Sequence, residues 1–426
     1  MSASSWGFSW ILALTFLISA SLPFTYAAPV SDPVLLPGSV DNAPVRLRVA
    51  FDEGLQETKF LGKRKSPGLS PGLTGTAWFE RTRSNGDRLY AFGPDTGDKK
   101  PGIQLGSVSV SNKKLADGGF GTISNAILFE VKEEEICGST ETAKKTEKTK
   151  GLIAKWGEGD DGVHGGKIQN LLRECAYVPQ VHKTLWIPPD KTYPEGQSLV
   201  IMESMASDTW DLVNSYPQAR REKQPWAGHF NRLFMMEDLV TGLAYAHSLQ
   251  IIHMDVKLEN LMLRHNKPGE KYYHFAIIDW DMAMILTKEQ VGQALKGTPP
   301  YMAPEVVKRE YEDWPKGPDV YAAGICLLFA IVPDLLKPEY QPRVEAIHDK
   351  YRSPEEVEEY VKKVLGVRTK LFPETFSLLG QVLCAPWLRL SMADFEAKLR
   401  KYPVDYPYLE SDLPLISLEE TPKKPE

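Results

Sequence analysis

Three polar side chains stand at fixed offsets in the stretch Ile252–Met262: Asp255, Lys257 and Asn260. A fourth, Asp279, follows a short apolar run from His274 to Ile278. One carboxylate to take a proton, an ammonium to face a moving anion, and amide and carboxylate oxygens suited to a hard divalent cation are the equipment of phosphoryl transfer. Two elements have to position them. Upstream, Leu239, Val240, Leu243 and Ala246 recur at helical spacing and predict a helix over Leu233 to Ala246. Downstream, the run ending at Ile278 predicts a strand that delivers Asp279.

A chain of 426 residues can bury a sizeable core and has room for one large domain plus extensions. Its net charge of -6 gives no reason to expect nucleic acid as a partner. Cys137, Cys175, Cys326 and Cys384 are too far apart for metal-ligand spacing, and Cys326, inside an apolar run, predicts a buried free thiol. Trp6 to Leu22 is an almost uncharged apolar run followed by Thr25-Tyr26-Ala27, which predicts a signal peptide over residues 1–27. An uncleaved anchor is the alternative, although the run falls short of the ~20 apolar residues of a span. The chain is therefore expected in the secretory pathway or secreted, with no membrane span after signal removal. No Asn-x-Ser/Thr sequon occurs in it.

Residues 28–107 form an N-terminal extension, rich in Pro, Gly and Ser as far as about residue 72, with a strand-like patch at Val45–Phe51 and hairpin-like pieces after Thr76. Lys63-Arg64-Lys65 reads either as a processing site or as a solvated basic loop. Residues 132–150, dense in Glu, Lys and Thr, are expected to be an exposed, mobile insertion. Residues 403–426 are an acidic, Pro-rich tail.

Several motifs join the first stretch. Leu115–Ile123 is similar to the loop G-x-G-x-x-G-x-V, with Ala116 at its first Gly; glycines there let backbone N–H groups approach phosphates. Leu152-Ile-Ala-Lys155 is similar to V-A-I-K, and His253–Asn260 to H-R-D-L-x-x-x-N with Met254 in place of Arg. Asp279-Trp280-Asp281 takes the place of D-F-G, and Gly297–Glu305 matches G-T-x-x-Y-x-A-P-E. From Val108 to about Tyr402 the chain resembles a eukaryotic-type protein kinase of the Ser/Thr kind.

That resemblance implies an α+β, two-lobed protein-kinase-like fold. Residues 108–203 would form a small antiparallel β-sheet lobe with one long helix, and residues 204–402 a larger, mainly helical lobe. It implies that Asp255 deprotonates a Ser/Thr hydroxyl of a protein substrate, with Lys257 on the γ-phosphate and Thr298 beside the acceptor. ATP and Mg2+ are the implied cofactors, the metal held by Asn260 and Asp279. Lys155 would grip the phosphates, held by an ion pair with Glu174 on a helix over Ile168 to Val178. Ala116, Gly118, Gly119, Phe120, Gly121 and Ile123 would cover the phosphates, and Met202, Glu203 and Met205 would border the adenine. Glu305 would be buried and paired with Arg389, and Asp319, opening the apolar helix that runs on to Val332, would cap the catalytic loop.

Ala116, Met254 and Asp281 depart from the family pattern. Met254 removes the Arg that family members use to dock an activation-loop phosphate, so activity is expected not to need phosphorylation of sites such as Thr287. Glu259 is expected to favour a basic residue just before the acceptor. Asp281, where Gly is usual, supports with Ala116 and Met254 a competing reading, a weak or inactive pseudokinase acting as a secreted scaffold. A small-molecule kinase is disfavoured by the Gly297–Glu305 platform.

Overall fold

The structure, a computed structural model, describes residues 74–94, 104–118, 121–135, 142–159, 161–189, 191, 193–223, 232–265, 273–286, 297–310, 313–363 and 373–401. The signal segment, Val45–Phe51, Lys63–Lys65, Gly119, Phe120, Cys137, Thr287 and the tail lie outside the described residues.

Seven strands come first: β1 (Thr74–Thr82), β2 (Arg88–Gly93), β3 (Gly106–Gly118), β4 (Gly121–Glu135), β5 (Thr142–Glu158), β6 (Val181–Ile187) and β7 (Gln197–Glu203). They close into a barrel in the order β1-β2-β3-β4-β5-β7-β6. Closure runs through a parallel pairing of β1 with β6, whereas every other pairing is antiparallel. Alternate residues turn inward, so Tyr90 and Phe92, Val108 and Val110, Leu152 and Ala154, and Leu199 and Ile201 fill one apolar core.

Two expectations are corrected here. The sheet begins at Thr74 rather than Val108, because β1 and β2 are needed to close the barrel and leave no open edge. Residues 132–150 also continue the β4–β5 ladder, with Lys132 opposite Lys145 and Glu133 opposite Lys144, on either side of residues 136–141. Their polar composition reads as mobile in isolation, but the barrel has already nucleated the ladder they extend.

A single helix, α1 (Asp161–Leu171), links β5 to β6 and is only 11 residues long. After β8 (Met205–Asp208) the chain becomes mainly helical, through α2 (Thr209–Arg221) and α3 (Arg232–Ser248). The short strands β9 (Ile251–Ile252), β10 (Leu261–Arg264), β11 (Phe275–Ile277) and β12 (Met284–Ile285) carry the polar stretch. Then follow α4 (Pro304–Lys308), α5 (Gly317–Ile331), α6 (Gln341–Glu345), α7 (Pro354–Lys363), α8 (Pro373–Leu383) and α9 (Met392–Leu399).

The expected helix and strand are present as α3 and β11. Met235, Met236, Leu239, Val240, Leu243 and Ala246 of α3 are buried, and α5 is buried from Pro318 to Ala330. Among the described residues no helix is long and apolar enough to cross a membrane. Cys175, Cys326 and Cys384 are buried free thiols.

Candidate active site

The polar stretch leaves β9 and returns through β10, and its backbone is tied down by one residue of α5. Asp319 accepts the N–H of His253 at 2.8 Å and that of Met254 at 2.9 Å, and meets His247 Nε2 at 2.9 Å. Burial pushes its carboxyl up, but the His247 bond and charge and the loop N–H outweigh burial and hold it below the usual carboxylate range. These bonds keep Met254 at φ 74°, a left-handed conformation uncommon for any residue but glycine. His253 is fully buried, with Nε2 2.9 Å from the carbonyl of Ile278 and its ring edge-on to Trp280 at 4.6 Å.

On this platform Asp255 gathers three partners. Lys257 Nζ reaches Oδ2 at 2.7 Å, Thr298 Oγ1 donates to Oδ1 at 2.7 Å, and Asn260 Nδ2 reaches Oδ2 at 3.1 Å and the Asp255 carbonyl at 2.8 Å. Lys257 also lies 3.2 Å from Thr298 Oγ1, which closes the network. The carboxylate is oriented by charge-assisted bonds and still has lone pairs for an incoming hydroxyl.

The second carboxylate is delivered by the β10–β11 pairing, Leu261 opposite Ile277, and by the Ile278 N–H bonded to the carbonyl of Asn260 at 2.9 Å. Asp279 adopts φ 63° and starts a single 3-10 turn, Trp280–Met282. Trp280 anchors that turn: it is fully buried, and Nε1 donates to the carbonyl of Ile277 at 2.9 Å. Asn260 has its amide nitrogen committed to Asp255, so its oxygen is what it presents to a cation.

Lys155 lies on β5, opposite Ile123 of β4 and Val200 of β7. Its Nζ is 2.5 Å from Asp279 Oδ1 and 2.7 Å from Asp281 Oδ2. Burial works against the ammonium, yet the two carboxylates prevail and raise its pKa above the usual lysine value.

The expected partner Glu174 is elsewhere. Its side chain is 75% exposed and pairs with Arg173 at 3.2 Å. The helix ends at Leu171, and Leu172, Cys175 and Val178 are buried in successive i→i+3 turns. Such turns bury every third residue and so imitate a helical pattern in sequence. The helix that does form, α1, carries Gly162, Gly165 and Gly166, each costing about 1 kcal/mol relative to Ala, which hides it from a propensity reading. It packs on the 280–282 turn, where His164 Nε2 meets the carbonyl of Ala283 at 2.7 Å. Gly165, and the contact of Asp281 with Lys155, are thus what sequence reasoning missed. Asp281 is visible there as a departure, but no local signal points to its partner.

The remaining predicted residues fall as follows. Gly118 and Gly121 face each other at the end of the β3–β4 hairpin, with Ala116 opposite Ile123. At Gly121, φ is +126° and a Cβ would lie 1.5 Å from the carbonyl oxygen of Trp156, so only glycine fits. Met202 is buried with Val181 and Val200, and Met205 sits on β8 opposite Arg264. Glu203 has a fixed side chain, clamped by Arg264 Nη1 at 2.5 and 2.6 Å. Glu305 and Arg389 form a fully buried pair through Nη1–Oε1 and through Nη2–Oε2 at 3.1 Å. The guanidinium is further held by the carbonyls of Gly317 and Cys384.

The side-chain oxygens of Asp279 and Asn260 suit a hard cation. No group of three or more His, Cys, Asp or Glu among the described residues would cage a metal. Mg2+ is commonly held by one or two protein oxygens together with phosphate oxygens and water, and Asp279 and Asn260 supply such a pair.

The protein kinase domain matches the chain over residues 111–394, well over half of it. Serine/threonine-protein kinase SRK2I of Arabidopsis thaliana is 27% identical over 195 residues, 42% of this chain and 49% of that protein. ULK3 of Xenopus laevis is 30% identical over 166 residues, 38% and 32% of the two chains. Serine/threonine-protein kinase dkf-1 of Caenorhabditis elegans is 22% identical over 265 residues, 62% and 33%. The chain thus spans from 32% to 49% of the length of these curated relatives. On the extent of the domain match, this chain belongs to the protein kinase family.

Proposed function

We propose that the protein transfers the terminal phosphoryl group of ATP to Ser or Thr hydroxyls of protein substrates. The observation that carries this reading is the closed network of Asp255, Lys257 and Thr298, which puts an oriented carboxylate, a cation and a hydroxyl in contact. In the reaction an acceptor oxygen forms the new bond to phosphorus as the bridge to the β-phosphate breaks. Asp255 receives the hydroxyl proton, and Lys257 faces the charge on the moving group. Lys155 would bind the phosphates, and Asn260 and Asp279 would hold Mg2+, whose charge would neutralise the phosphate oxygens. Glu259 lies beside this network; burial raises its pKa, its carboxylate accepts from Tyr301 OH at 3.3 Å, and it is the acid proposed to favour a basic residue of the substrate. The proposed setting is the secretory pathway, on the strength of the apolar segment preceding Ala27.

A transfer assay with Mg-ATP, comparing the secreted chain with Asp255→Ala and Asp279→Ala, tests the reading. Labelling by the wild type alone is the expected result. A second reading, a nucleotide-binding scaffold, is favoured by the exposure of Glu174, which leaves one expected catalytic partner out of place. It would prevail if none of the three chains transferred label.

A further inference from the structure

We propose that Asp281 is the positioning residue for Lys155, doing from the turn after Asp279 what the family resemblance assigns to Glu174. The proposal rests on the phosphoryl-transfer reading, and its ground is geometric. Lys155 Nζ touches two carboxylates, Asp279 at 2.5 Å and Asp281 at 2.7 Å. Both cannot be redundant once a cation is bound, because Asp279 is then needed for the metal. Without Asp281 the buried ammonium would remain on Asp279 and compete with that cation, or lose its partner, which is costly in a site largely closed to water. With Asp281 the tasks divide, one carboxylate for the lysine and one for the cation.

The helix is shaped to match. Gly165 of α1 faces Asp281 so closely that a Cβ there would lie 2.0 Å from Oδ1 and 3.0 Å from the backbone nitrogen. That is the space the Asp281 carboxylate fills, so the helix contributes room where a charge was expected. The His164 bond to the Ala283 carbonyl fixes this approach. Nothing else on α1 replaces the missing acid: after Asp161, its residues Gly162 to Leu171 carry no carboxylate.

The experiment moves the charge across the contact. Full-length wild type, Asp281→Gly, and the double variant Asp281→Gly/Gly165→Asp are compared for Mg-ATP affinity by calorimetry, for the Mg2+ concentration giving half-maximal binding, for kcat and KM, and for Tm. Asp281→Gly is expected to weaken Mg-ATP binding about tenfold and to raise the half-maximal Mg2+ concentration. The double variant, with a carboxylate restored from the helix side, is expected to recover affinity to within about threefold of wild type. Gly165→Ala alone should reproduce the loss, since its methyl group displaces the Asp281 carboxylate.

Wild-type affinity in Asp281→Gly would overturn the proposal. So would a double variant that melts like the wild type but recovers nothing, the result expected if Asp281 were a metal ligand. A wild type that binds Mg-ATP yet transfers nothing would sink the phosphoryl-transfer reading alone, leaving the affinity ratios to decide the role of Asp281. A wild type without nucleotide affinity would end both.

Discussion

Around Asp255 two of the three partners, Lys257 and Asn260, come from the next five residues, whereas around Lys155 the partners are 124 and 126 residues away. The first corner is made by one loop whose backbone is fixed by Asp319; the second exists only because the barrel and the helical part meet. On the proposed function, the loop-made corner would orient groups for the chemical step, and the corner made across two parts would set how the nucleotide is held. Variants should separate along the same line. Asp255→Asn is expected to lower kcat by about 10^2- to 10^4-fold while Mg-ATP affinity changes less than threefold. Single-turnover kinetics beside calorimetry would check this. A comparable loss of affinity would mean that the two corners are one unit.

Asp319→Ala strikes the support of the first corner. It orphans the buried N–H groups of His253 and Met254, at about 1–3 kcal/mol each, and removes the His247 partner. We expect a loss of about 3–5 kcal/mol in urea unfolding, with kcat falling and Mg-ATP affinity largely kept. The sign with pH is fixed by the lowered pKa of Asp319. Its contribution is full above the unfolded value near 3.9 and is lost as pH falls through the folded one, so the variant and the wild type should converge in acid. A constant difference down to pH 3 would contradict this account.

The same contrast explains what could be read from the sequence. The Asp255 corner was legible because its residue types sit at short, fixed offsets, and the helix and strand flanking it have clear apolar periods. The Glu305–Arg389 pair, 84 residues apart, was legible only through the family resemblance. Lys155 was legible as a cation ending an apolar strand, but its partner was not. Three glycines hid α1, and i→i+3 turns at Leu172, Cys175 and Val178 imitated a helix that would have presented Glu174. The barrel strands before Val108 have the turn residues and alternation of hairpins, but closure through the parallel β1–β6 pairing has no local signal.

One carboxylate supports the second corner from beneath and offers a control without catalytic chemistry. Asp238 of α3 accepts the Phe275 N–H at 2.8 Å, at the start of the strand that leads to Asp279. Burial raises its pKa to about 8, against the opposing Phe275 bond and with the charge of Glu237 adding to the rise. The native state therefore holds a proton between roughly pH 4 and 8 that the unfolded chain releases, and stability falls as pH rises through that window. Asp238→Asn keeps an acceptor oxygen and removes the titration. A gain of about 1–2 kcal/mol at pH 8 that disappears near pH 4 is expected from thermal melts. An equal gain at both values would show that ionisation is not the cause.

The smallest effect is the one that most sharpens the comparison. If the second corner is held from the turn after Asp279, Glu174 has no part in it, since its carboxylate is three-quarters exposed and bonded only locally to Arg173. Exposed ion pairs of this kind contribute about 0–1 kcal/mol, and substitutions away from buried features stay within about 0.5 kcal/mol. Glu174→Ala should therefore leave Tm, Mg-ATP affinity and kcat close to wild type, within about twofold for the rate and affinity. The measurement needs the Lys155→Ala variant beside it, which removes the ammonium from both carboxylates and is expected to cost affinity strongly. A large loss in Glu174→Ala would mean that the helix reorganises when nucleotide binds and that its acid reaches Lys155 after all. A null result beside a large Lys155→Ala effect would leave Asp279 and Asp281 as the lysine's working partners.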